Sequence, residues 1–470
     1  MTTTTSDEMK PPSVWKTLSF STGSGLANLS GSAIATLLLL YYTAVTGISP
    51  WWYALAQTLY AIYNAINDPL VGYLTDKNRS GLLRFGKRFP WIMIGILGAV
   101  IMMQLIYNVP QGFFNNDVVL FFWLLISLCL FDTFYSMFYV NYIALGPVLF
   151  RSENARRRLG ISNTAVSTFM LIFGMVLPIV LADKDDPSTF GTFILISGIL
   201  TFVVGLLLAP SVKESPALTK TLVEAAAKQK DDNFFKFLWN ALKQRNFMLV
   251  VVLFLFFSVY VNTAAASMPF FVINVLGYDS EDPMMQMLLT EFLFIFLSLP
   301  VWNWVINKRG FKNTAIIAIV FLCLVSLALL FVPDLLTSTI VFGLLGCAVS
   351  GFMALQSPLF TDALDELSVV IGGRKEGIFT GIQLFFSRFS YVFQGYIVAI
   401  VRSITAFDPT NPATFTPAAL FGIRVEMIGV GAILLLITIL FFARYYDLDQ
   451  EKMKVIREKL AVIDGQSSAQ

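Results

Sequence analysis

Apolar stretches long enough to cross a membrane recur along the whole length of this 470-residue chain. Roughly twenty apolar residues span a bilayer as a helix, and lipid-exposed irregular backbone does not occur inside the hydrocarbon. A membrane β-barrel would show short alternating segments instead. The pattern therefore predicts an all-α polytopic membrane protein. Its twelve predicted spans are residues 17–45, 51–74, 89–108, 118–142, 161–182, 190–209, 247–274, 284–306, 313–332, 337–360, 377–401 and 418–443.

The basic residues predict the orientation of these spans. Nearly all of the 32 Lys and Arg residues fall in the tails or in the even-numbered connections between spans. Basic residues accumulate on the cytoplasmic side of a membrane. The N-terminal tail (residues 1–16) and the C-terminal tail (residues 444–470) are therefore predicted to be cytoplasmic. The charge pattern of the C-terminal tail is typical of an amphipathic helix on the membrane surface.

The longest polar segment predicts a division into two halves. Residues 210–246 separate a bundle of six spans (residues 17–209) from a second bundle of six (residues 247–443) and are expected to form a cytoplasmic central loop. Two six-helix bundles related as parallel repeats are an architecture of secondary transporters, in which the substrate binds at the repeat interface near the bilayer midplane.

Composition excludes several classes of function. Charged residues make up only 13% of the chain, against about 25% in soluble proteins, and the net charge of +2 gives no reason to expect a nucleic-acid partner. The three cysteines, Cys129, Cys323 and Cys347, lie in apolar runs and are expected to be buried without a disulfide or metal site. We find no nucleophile–base set or phosphate-binding loop. We therefore expect a monomeric protein of the cell membrane that is not an enzyme, holds no cofactor and contacts the lipid bilayer.

Span two contains a carboxylate within its apolar run. Asp68 is followed directly by Pro69 and then by a basic hairpin. A charged side chain at the centre of a membrane helix costs about 2.5–3.5 kcal/mol on insertion scales, so such residues usually serve function or are paired. Asn64 lies one turn earlier on the same face. Asp68 and Asn64 are candidates for binding a coupling cation; alternatively, Asp68 is a gate residue that pairs with arginines of the hairpin.

Other ionisable residues lie within the later spans. Asp132 in span four is a candidate for cation coupling or substrate binding, or it fixes helix packing through a hydrogen bond or an ion pair. Glu291 in span eight is a proton relay or one member of a packing pair. Arg388 in span eleven needs a buried acid, for which Asp132 is a candidate. The pair Arg424 and Glu426, toward the outer end of span twelve, is expected to be structural.

Uncharged polar residues extend the candidate substrate site. Gln383 lies in span eleven near Arg388, and both are candidates to face a cavity. Asn28 has the longest side chain in a stripe of small polar residues along span one. Such a stripe either lines a polar cavity or lets neighbouring helices approach closely.

Three stretches of the chain resemble a known family. Residues 67–91 contain NDPLVGYLTD, RS and GKRFPW, residues 18–49 match a first helix, and residues 361–388 read TDALDELSVVIGGRKEGIFTGIQLFFSR. Together they resemble the glycoside–pentoside–hexuronide:cation symporter family, which contains melibiose permease, within the major facilitator superfamily. The resemblance covers nearly the whole chain. It implies the major facilitator fold, with twelve transmembrane helices in two six-helix halves.

The resemblance also implies roles for individual residues. Asp68 matches one acid of the family's cation pair, and Asn64 stands where the partner aspartate usually is. Asn28 replaces a substrate-binding aspartate of helix one, and Tyr139, in an ungapped alignment of span four, replaces another site acid. Arg388 takes the place of a basic residue. Loop positions of the family's motifs are expected to contribute to gating: Asp76, Arg79, Arg88, Asp362, Asp365, Arg374 and Glu376.

The resemblance implies a secondary transporter that couples movement of a sugar or glycoside to a cation by alternating access. Because hard cations need several oxygen ligands, the missing acids favour H⁺ as the coupling ion, with Na⁺ or sugar uniport as alternatives. A second hypothesis is a carrier of lipids, lysolipids or other amphiphiles, in which Arg388 would contact a phosphate. A third hypothesis, a scaffold protein without transport, is not favoured, because a scaffold has no need of a buried acid and a buried base.

Overall fold

The computed structural model describes residues 13–76, 84–150, 153–216, 218–219, 242–278, 282–371 and 376–467. The described part of the chain is helical, and a helix covers each predicted span. The bounds of the α-helices are Val14–Leu40, Pro50–Asp76, Phe89–Tyr107, Asp117–Leu149, Glu153–Leu181, Pro187–Val212, Arg245–Phe270, Asp282–Leu329, Leu335–Ile371, Glu376–Thr405, Pro417–Arg424, Val430–Tyr445 and Gln450–Ser467.

Two compact units make up the chain. The N-terminal unit is Met1–Lys230 and the C-terminal unit is Asp231–Gln470. Each unit contains six of the predicted spans, and the division falls inside residues 210–246. The boundaries drawn for the tails and the central loop stay predictions. Among the described residues, nine helical segments are long and apolar enough to cross a membrane, and one of them, Asp282–Leu329, carries both span eight and span nine. The prediction of an all-helical membrane protein is confirmed.

Span ten is longer than the apolar pattern predicts, because its helix continues from residue 360 to Ile371. Ala363 and Leu367, one turn apart, are both fully buried and hold this extension against the protein. Asp362 and Asp365, which were expected in a loop, therefore lie on the helix, and Asp362 is buried. Apolar content alone underestimates a helix that continues beyond the hydrocarbon.

A single glycine separates spans eight and nine. The sequence predicts a loop over residues 307–312, but helical structure continues on both sides of Gly310, whose φ is 73° and ψ is 173°. Glycine adopts positive φ without the steric cost that a Cβ atom imposes. The predicted loop is thus reduced to a sharp break at this residue.

Spans one and seven each end in a turn of the same kind. A π-helical turn, Tyr41–Val45, closes span one, and Phe271–Val275 closes span seven. Each is followed by a glycine at positive φ: Gly47 at 81° and Gly277 at 74°. This repeated turn makes the first helices of the two units structurally equivalent, as parallel repeats require.

Aromatic side chains form much of the core of the N-terminal unit. Phe20 of span one stacks on Tyr142 of span four with ring centroids 4.7 Å apart, and the Tyr142 hydroxyl donates to the Phe20 carbonyl at 3.0 Å. Gly95 of span three lies directly against the backbone of span four, where an added Cβ would come within 2.7 Å of the Phe134 carbonyl. These contacts fix the position of span four, which carries Asp132.

The C-terminal helix, Gln450–Ser467, packs on the protein rather than lying only on the membrane surface. Its apolar face, Met453, Ile456 and Leu460, is buried. Lys452 bridges the Glu366 carboxylate at 2.9 Å and the Asp447 carboxylate at 2.8 Å. The tail is therefore an integral part of the C-terminal unit.

Candidate functional site

Polar side chains of spans two and four meet inside the N-terminal unit. Tyr60, Tyr63 and Asn67 recur on one face of span two at helical spacing, and they face Asp132 and Ser136 of span four. Asp132 and Ser136 are also one turn apart, so both point toward the same neighbour. The two spans thus bring their polar residues together along a single line of contact.

Asp132 is the most deeply buried acid of this site, with 1% of its surface exposed. Its Oδ1 accepts a hydrogen bond from the Tyr60 hydroxyl at 3.2 Å, and its Oδ2 accepts one from Asn67 Nδ2 at 3.0 Å. Hydrogen bonds to a charged acceptor are roughly twice as strong as neutral ones. Two donors from span two therefore offset part of the cost of burying this carboxylate.

Ser136 connects the two carboxylates of the site. Asn67 Nδ2 also donates to Ser136 Oγ at 3.2 Å, and Ser136 Oγ hydrogen-bonds Asp68 Oδ1. Because an amide nitrogen only donates, Ser136 accepts from Asn67 and uses its own proton for Asp68. Asp68 and Asp132 are thus linked through one hydroxyl and one amide.

Two further groups complete the network. The Tyr63 hydroxyl lies 2.6 Å from Thr133 Oγ1, which itself donates to the Cys129 carbonyl at 2.7 Å. Asn64 is buried, and its Nδ2 has no hydrogen-bond partner among the described residues. An unsatisfied buried donor costs about 1–3 kcal/mol, so a bound group that accepts from Asn64 would be stabilised here.

The chemistry of the donor set suits a small cation. Asp68 and Asp132 supply carboxylate oxygens, while Ser136, Thr133 and Asn67 supply neutral oxygens nearby. Hard cations prefer such oxygen ligands, and a carboxylate is also the group that carries a proton in membrane pumps and transporters. Such a donor set is of the kind that suits Na⁺ or H⁺. The sequence analysis named Asp68, Asn64 and Asp132 as candidates. It did not name Asn67 and Ser136, although Asn67 lies two turns after Tyr60 and Ser136 one turn after Asp132.

Asn28 and Tyr139, the substrate residues predicted in the N-terminal unit, lie outside the hydrogen-bond network of Asp68 and Asp132. Asn28 Nδ2 donates to the Ser167 carbonyl of span five at 3.2 Å, so Asn28 takes part in the packing of two helices. Tyr139 stacks on Tyr135 with ring centroids 5.5 Å apart and lies about 10 Å beyond Asp132 along the helix. The role of Tyr139 in substrate binding stays a prediction, and Asp132 supplies the carboxylate that faces span two.

Arg388 lies in the C-terminal unit on the helix Glu376–Thr405 and is half-buried. Its neighbour Ser390 accepts a hydrogen bond from Asn262 of span seven at 2.8 Å. The pairing of Arg388 with Asp132 stays a prediction. Several predicted residues lie outside the described part of the chain, wholly or in their side chains: Asp76, Arg79, Arg374, Glu376 and Gln383.

Arg88 directly precedes the helix of span three. Its backbone N–H contacts Glu214, an acid that the sequence analysis did not identify. Glu214, at the end of span six, accepts hydrogen bonds from the Arg88 backbone N–H at 2.9 Å and the Phe89 N–H at 3.5 Å. A carboxylate is stabilised by the partial positive charge of a helix N-terminus. The backbone of Arg88 thus joins the start of span three to the end of span six.

A buried ion pair in the C-terminal unit joins Glu426 to an arginine that the sequence analysis did not name. Glu426 is fully buried and binds Arg402, with 2.9 Å from Nη2 to Oε1 and 3.1 Å from Nε to Oε2. The Arg402 guanidinium also lies 4.1 Å from the Phe270 ring centroid. Arg424 instead donates to the Leu330 carbonyl at 2.8 Å. The sequence placed Arg402 in a loop because it ended span eleven four residues too early.

Two six-helix units define the class of protein: a secondary transporter of the major facilitator type. Solved structures with this fold include the nucleoside transporter NupG, with a TM-score of 0.61, 15% identity and coverage of 92% of this chain and 100% of that chain. A bacterial homolog of the human lysosomal transporter Spinster has a TM-score of 0.59 at 13% identity, with coverage of 92% and 95%. The prediction of the fold is confirmed.

The chain belongs to the family described as MFS/sugar transport protein, whose model matches residues 19–450. Its relatives include sodium-dependent lysophosphatidylcholine symporter 1 of Gallus gallus, 22% identical over 97% of this chain and 91% of that protein. They also include the inner membrane symporter YicJ of Escherichia coli, 22% identical over 96% of this chain and 95% of that protein.

Proposed function

We propose that this protein is a cation-coupled symporter and that its coupling cation, H⁺ or Na⁺, binds between spans two and four. The observation that carries the proposal is the linkage of Asp68 to Asp132 through Ser136 and Asn67. The relatives named as symporters, one of them sodium-dependent, support the same reading. The network contains a second carboxylate, Asp132, linked to Asp68, and this supports Na⁺ as well as H⁺ as the proposed cation.

The network offers a physical route to coupling. Asp132 of span four is held by Tyr60 and Asn67 of span two, so a cation bound to Asp132 competes with hydrogen bonds that hold these helices together. A ligand shifts a conformational equilibrium only by its difference in affinity for the two states. A cation that rearranges these hydrogen bonds has such a difference, because the contacts of the helices change with occupancy.

We propose a sugar or glycoside as the first candidate substrate. The description of the matched family and the resemblance to the melibiose-permease group both favour it. Asn28, Tyr139, Arg388 and Gln383 are the proposed binding residues, with amide and hydroxyl groups hydrogen-bonding the sugar. If movement of the sugar proves independent of any cation gradient, the chain is a uniporter and Asp68 is a gating residue.

A lysolipid or another amphiphile is the second candidate substrate, and an apolar groove favours it. The groove has a volume of about 400 Å³ and lies between spans one, five and six of the N-terminal unit. Its walls include Trp15, Leu18, Phe169 and Met170, which suit an acyl chain. Lysophosphatidylcholine symporters among the relatives point the same way.

Counterflow in proteoliposomes tests both transport and the class of substrate. Vesicles are loaded with unlabelled compound, diluted into a trace of labelled compound, and compared with protein-free vesicles. The panel contains pentosides, hexosides, disaccharides and lysophosphatidylcholine. Transient accumulation of label from one class identifies the substrate. Absence of counterflow across the whole panel contradicts a carrier of either class.

A further inference from the structure

Glu291 is an acid of span eight that the coupling site does not use. It lies nine residues after the start of the helix Asp282–Leu329, about 13 Å along the helix axis, and is half-buried. The residues one turn away on its own face are all apolar: Met287, Leu288, Phe294 and Ile295. Glu291 therefore has only apolar neighbours one turn away on its own helix, in a segment long and apolar enough to cross a membrane.

Span ten packs closely against this position. Gly346 touches the main chain of Glu291, and a Cβ atom added to Gly346 would come within 3.2 Å of the Glu291 Cα. Cys347, the next residue, directs its thiol to the Phe294 carbonyl at 3.9 Å. Glu291 thus lies where two helices meet without an intervening side chain, a contact that leaves little space for a counter-ion on this side.

No hydrogen bond or ion pair of the Glu291 carboxyl group occurs in the part of the chain that the structure describes. Tyr260 of span seven is near enough to interact electrostatically, but its hydroxyl lies 2.7 Å from Ser326 Oγ. Thr290 donates its hydroxyl to the Gln286 carbonyl at 2.8 Å. The packing partner that the sequence allowed for Glu291 is therefore absent from this set of residues.

Charged and titratable groups of the other helices packed against span eight are also engaged elsewhere. Arg424 donates to the Leu330 carbonyl, and Glu426 is bound by Arg402. The Cys323 thiol of span nine is 3.4 Å from the Ala432 carbonyl. None of these groups supplies a positive charge to Glu291.

A carboxylate without a donor or counter-ion among apolar side chains is unstable relative to its neutral acid, because ionisation is disfavoured away from water. We propose that Glu291 is a proton-binding site of the C-terminal unit, holding a proton at neutral pH in this conformation. The proton is released to water when the carboxyl group becomes hydrated. This site lies in a different unit from the Asp68–Asp132 network. The proposal for Glu291 does not depend on whether that network binds a cation.

Infrared difference spectroscopy tests the proposal without any substrate. Full-length wild-type protein and the Glu291→Gln variant are reconstituted in lipid at pH 7, and the C=O stretching band of a protonated carboxyl group is compared. We expect the wild-type spectrum to contain a band that is missing from Glu291→Gln and that shifts in D₂O. Equal carboxyl bands in the two proteins would overturn the proposal.

Two further variants keep the test informative. Thr290→Val, which alters the adjacent polar residue, should retain the band. Glu291→Leu should lose it, and both variants are checked for native helix content by circular dichroism. If the band that is lost in Glu291→Gln persists in Glu291→Leu, the proposal is also overturned, because that proton would then belong to another acid.

Discussion

Buried acids of this protein are stabilised in different ways at the level of single side chains. Asp132 accepts hydrogen bonds from Tyr60 and Asn67. Glu426 forms a two-pronged ion pair with Arg402, and we propose that Glu291 holds a proton. A hydrogen-bonded carboxylate can exchange its donors for a cation, whereas an ion pair enclosed on all sides cannot do so cheaply. The first arrangement suits a coupling site, and the second suits a structural one.

Loss of one partner from the buried pair should destabilise the C-terminal unit. Replacing Glu426 by Gln removes the carboxylate that binds the buried Arg402 guanidinium, and breaking a buried ion pair in this way costs about 3–5 kcal/mol. We expect a lower unfolding temperature of the purified protein in detergent. The matched control is the double variant Arg402→Met with Glu426→Leu, which removes both charges and should recover most of the loss. If Glu426→Gln unfolds at the wild-type temperature, the pair is not structural.

The role proposed for Arg388 depends on its charge within a membrane span. Arg388→Ala should abolish accumulation of the substrate, because neither a buried acid nor a substrate phosphate would then have a cationic partner. Arg388→Lys keeps the charge but loses the planar geometry of the guanidinium, and we expect partial activity. Uptake into proteoliposomes is the measurement. Wild-type accumulation by Arg388→Ala would remove Arg388 from the site.

At the scale of helices, small residues set how closely the spans pack. Gly95 allows span three to touch the backbone of span four. Gly95→Ala should lower stability by about 1–3 kcal/mol, the usual cost of overpacking. Gly31, where an added Cβ meets nothing within 4 Å, is the matched control, and Gly31→Ala should be neutral or stabilising. Equal unfolding temperatures for the two variants would contradict this account of the contact.

The C-terminal helix should be held most firmly near neutral pH. Although partial burial raises it, the pKa of Asp447 is lowered below its ordinary 3.8 by hydrogen bonds from Lys452 and Asn246 and by nearby positive charge. Burial lowers the pKa of Lys452, but hydrogen bonds to Asp447 and Glu366 raise it above 10.5. The contribution of Asp447 to the stability of the folded protein is therefore fully present above pH 3.8. It is lost as the pH falls through the lower pKa that Asp447 has in the folded protein. The contribution of Lys452 to stability is fully present below pH 10.5 and is lost as the pH rises through its raised pKa in the folded protein.

Lys452→Ala should thus destabilise the protein between about pH 4 and pH 10 by at most about 1 kcal/mol, since the groups are partly exposed. The difference should shrink outside that range. Unfolding temperatures of wild type and variant across pH check this expectation. A constant difference at every pH would assign the effect to packing instead of charge.

Hydrophobic pattern predicts which helices exist more reliably than where they end or what they touch. It located every span, yet it missed the extension of span ten that carries Asp362 and the last four residues of span eleven, which begin with Arg402. These segments are amphipathic and are stabilised by packing against other helices. Likewise, Asn67 and Ser136 follow from helical spacing only once span two is known to lie against span four.

At the scale of the whole molecule, two six-helix units and a repeated turn after their first helices give the fold, and the family match over residues 19–450 gives the class of secondary transporter. The sequence predicts the units because charge and apolar runs are properties of single segments. It predicts the acids of the site, since a carboxylate within a membrane span is conspicuous. It does not predict their partners, because those depend on contacts between segments far apart in the chain, as Asp132 and Tyr60 show.

Gradient-driven accumulation is the most direct test of cation coupling through Asp68 and Asp132. Proteoliposomes containing wild type, Asp132→Asn or Asp68→Asn receive the compound that shows counterflow, under an inward Na⁺ gradient, an inward H⁺ gradient or no gradient. We predict that wild type concentrates the compound above equilibrium under one gradient, and that each variant only equilibrates it. Wild-type accumulation by Asp132→Asn, or no accumulation by wild type under either gradient, would contradict the account.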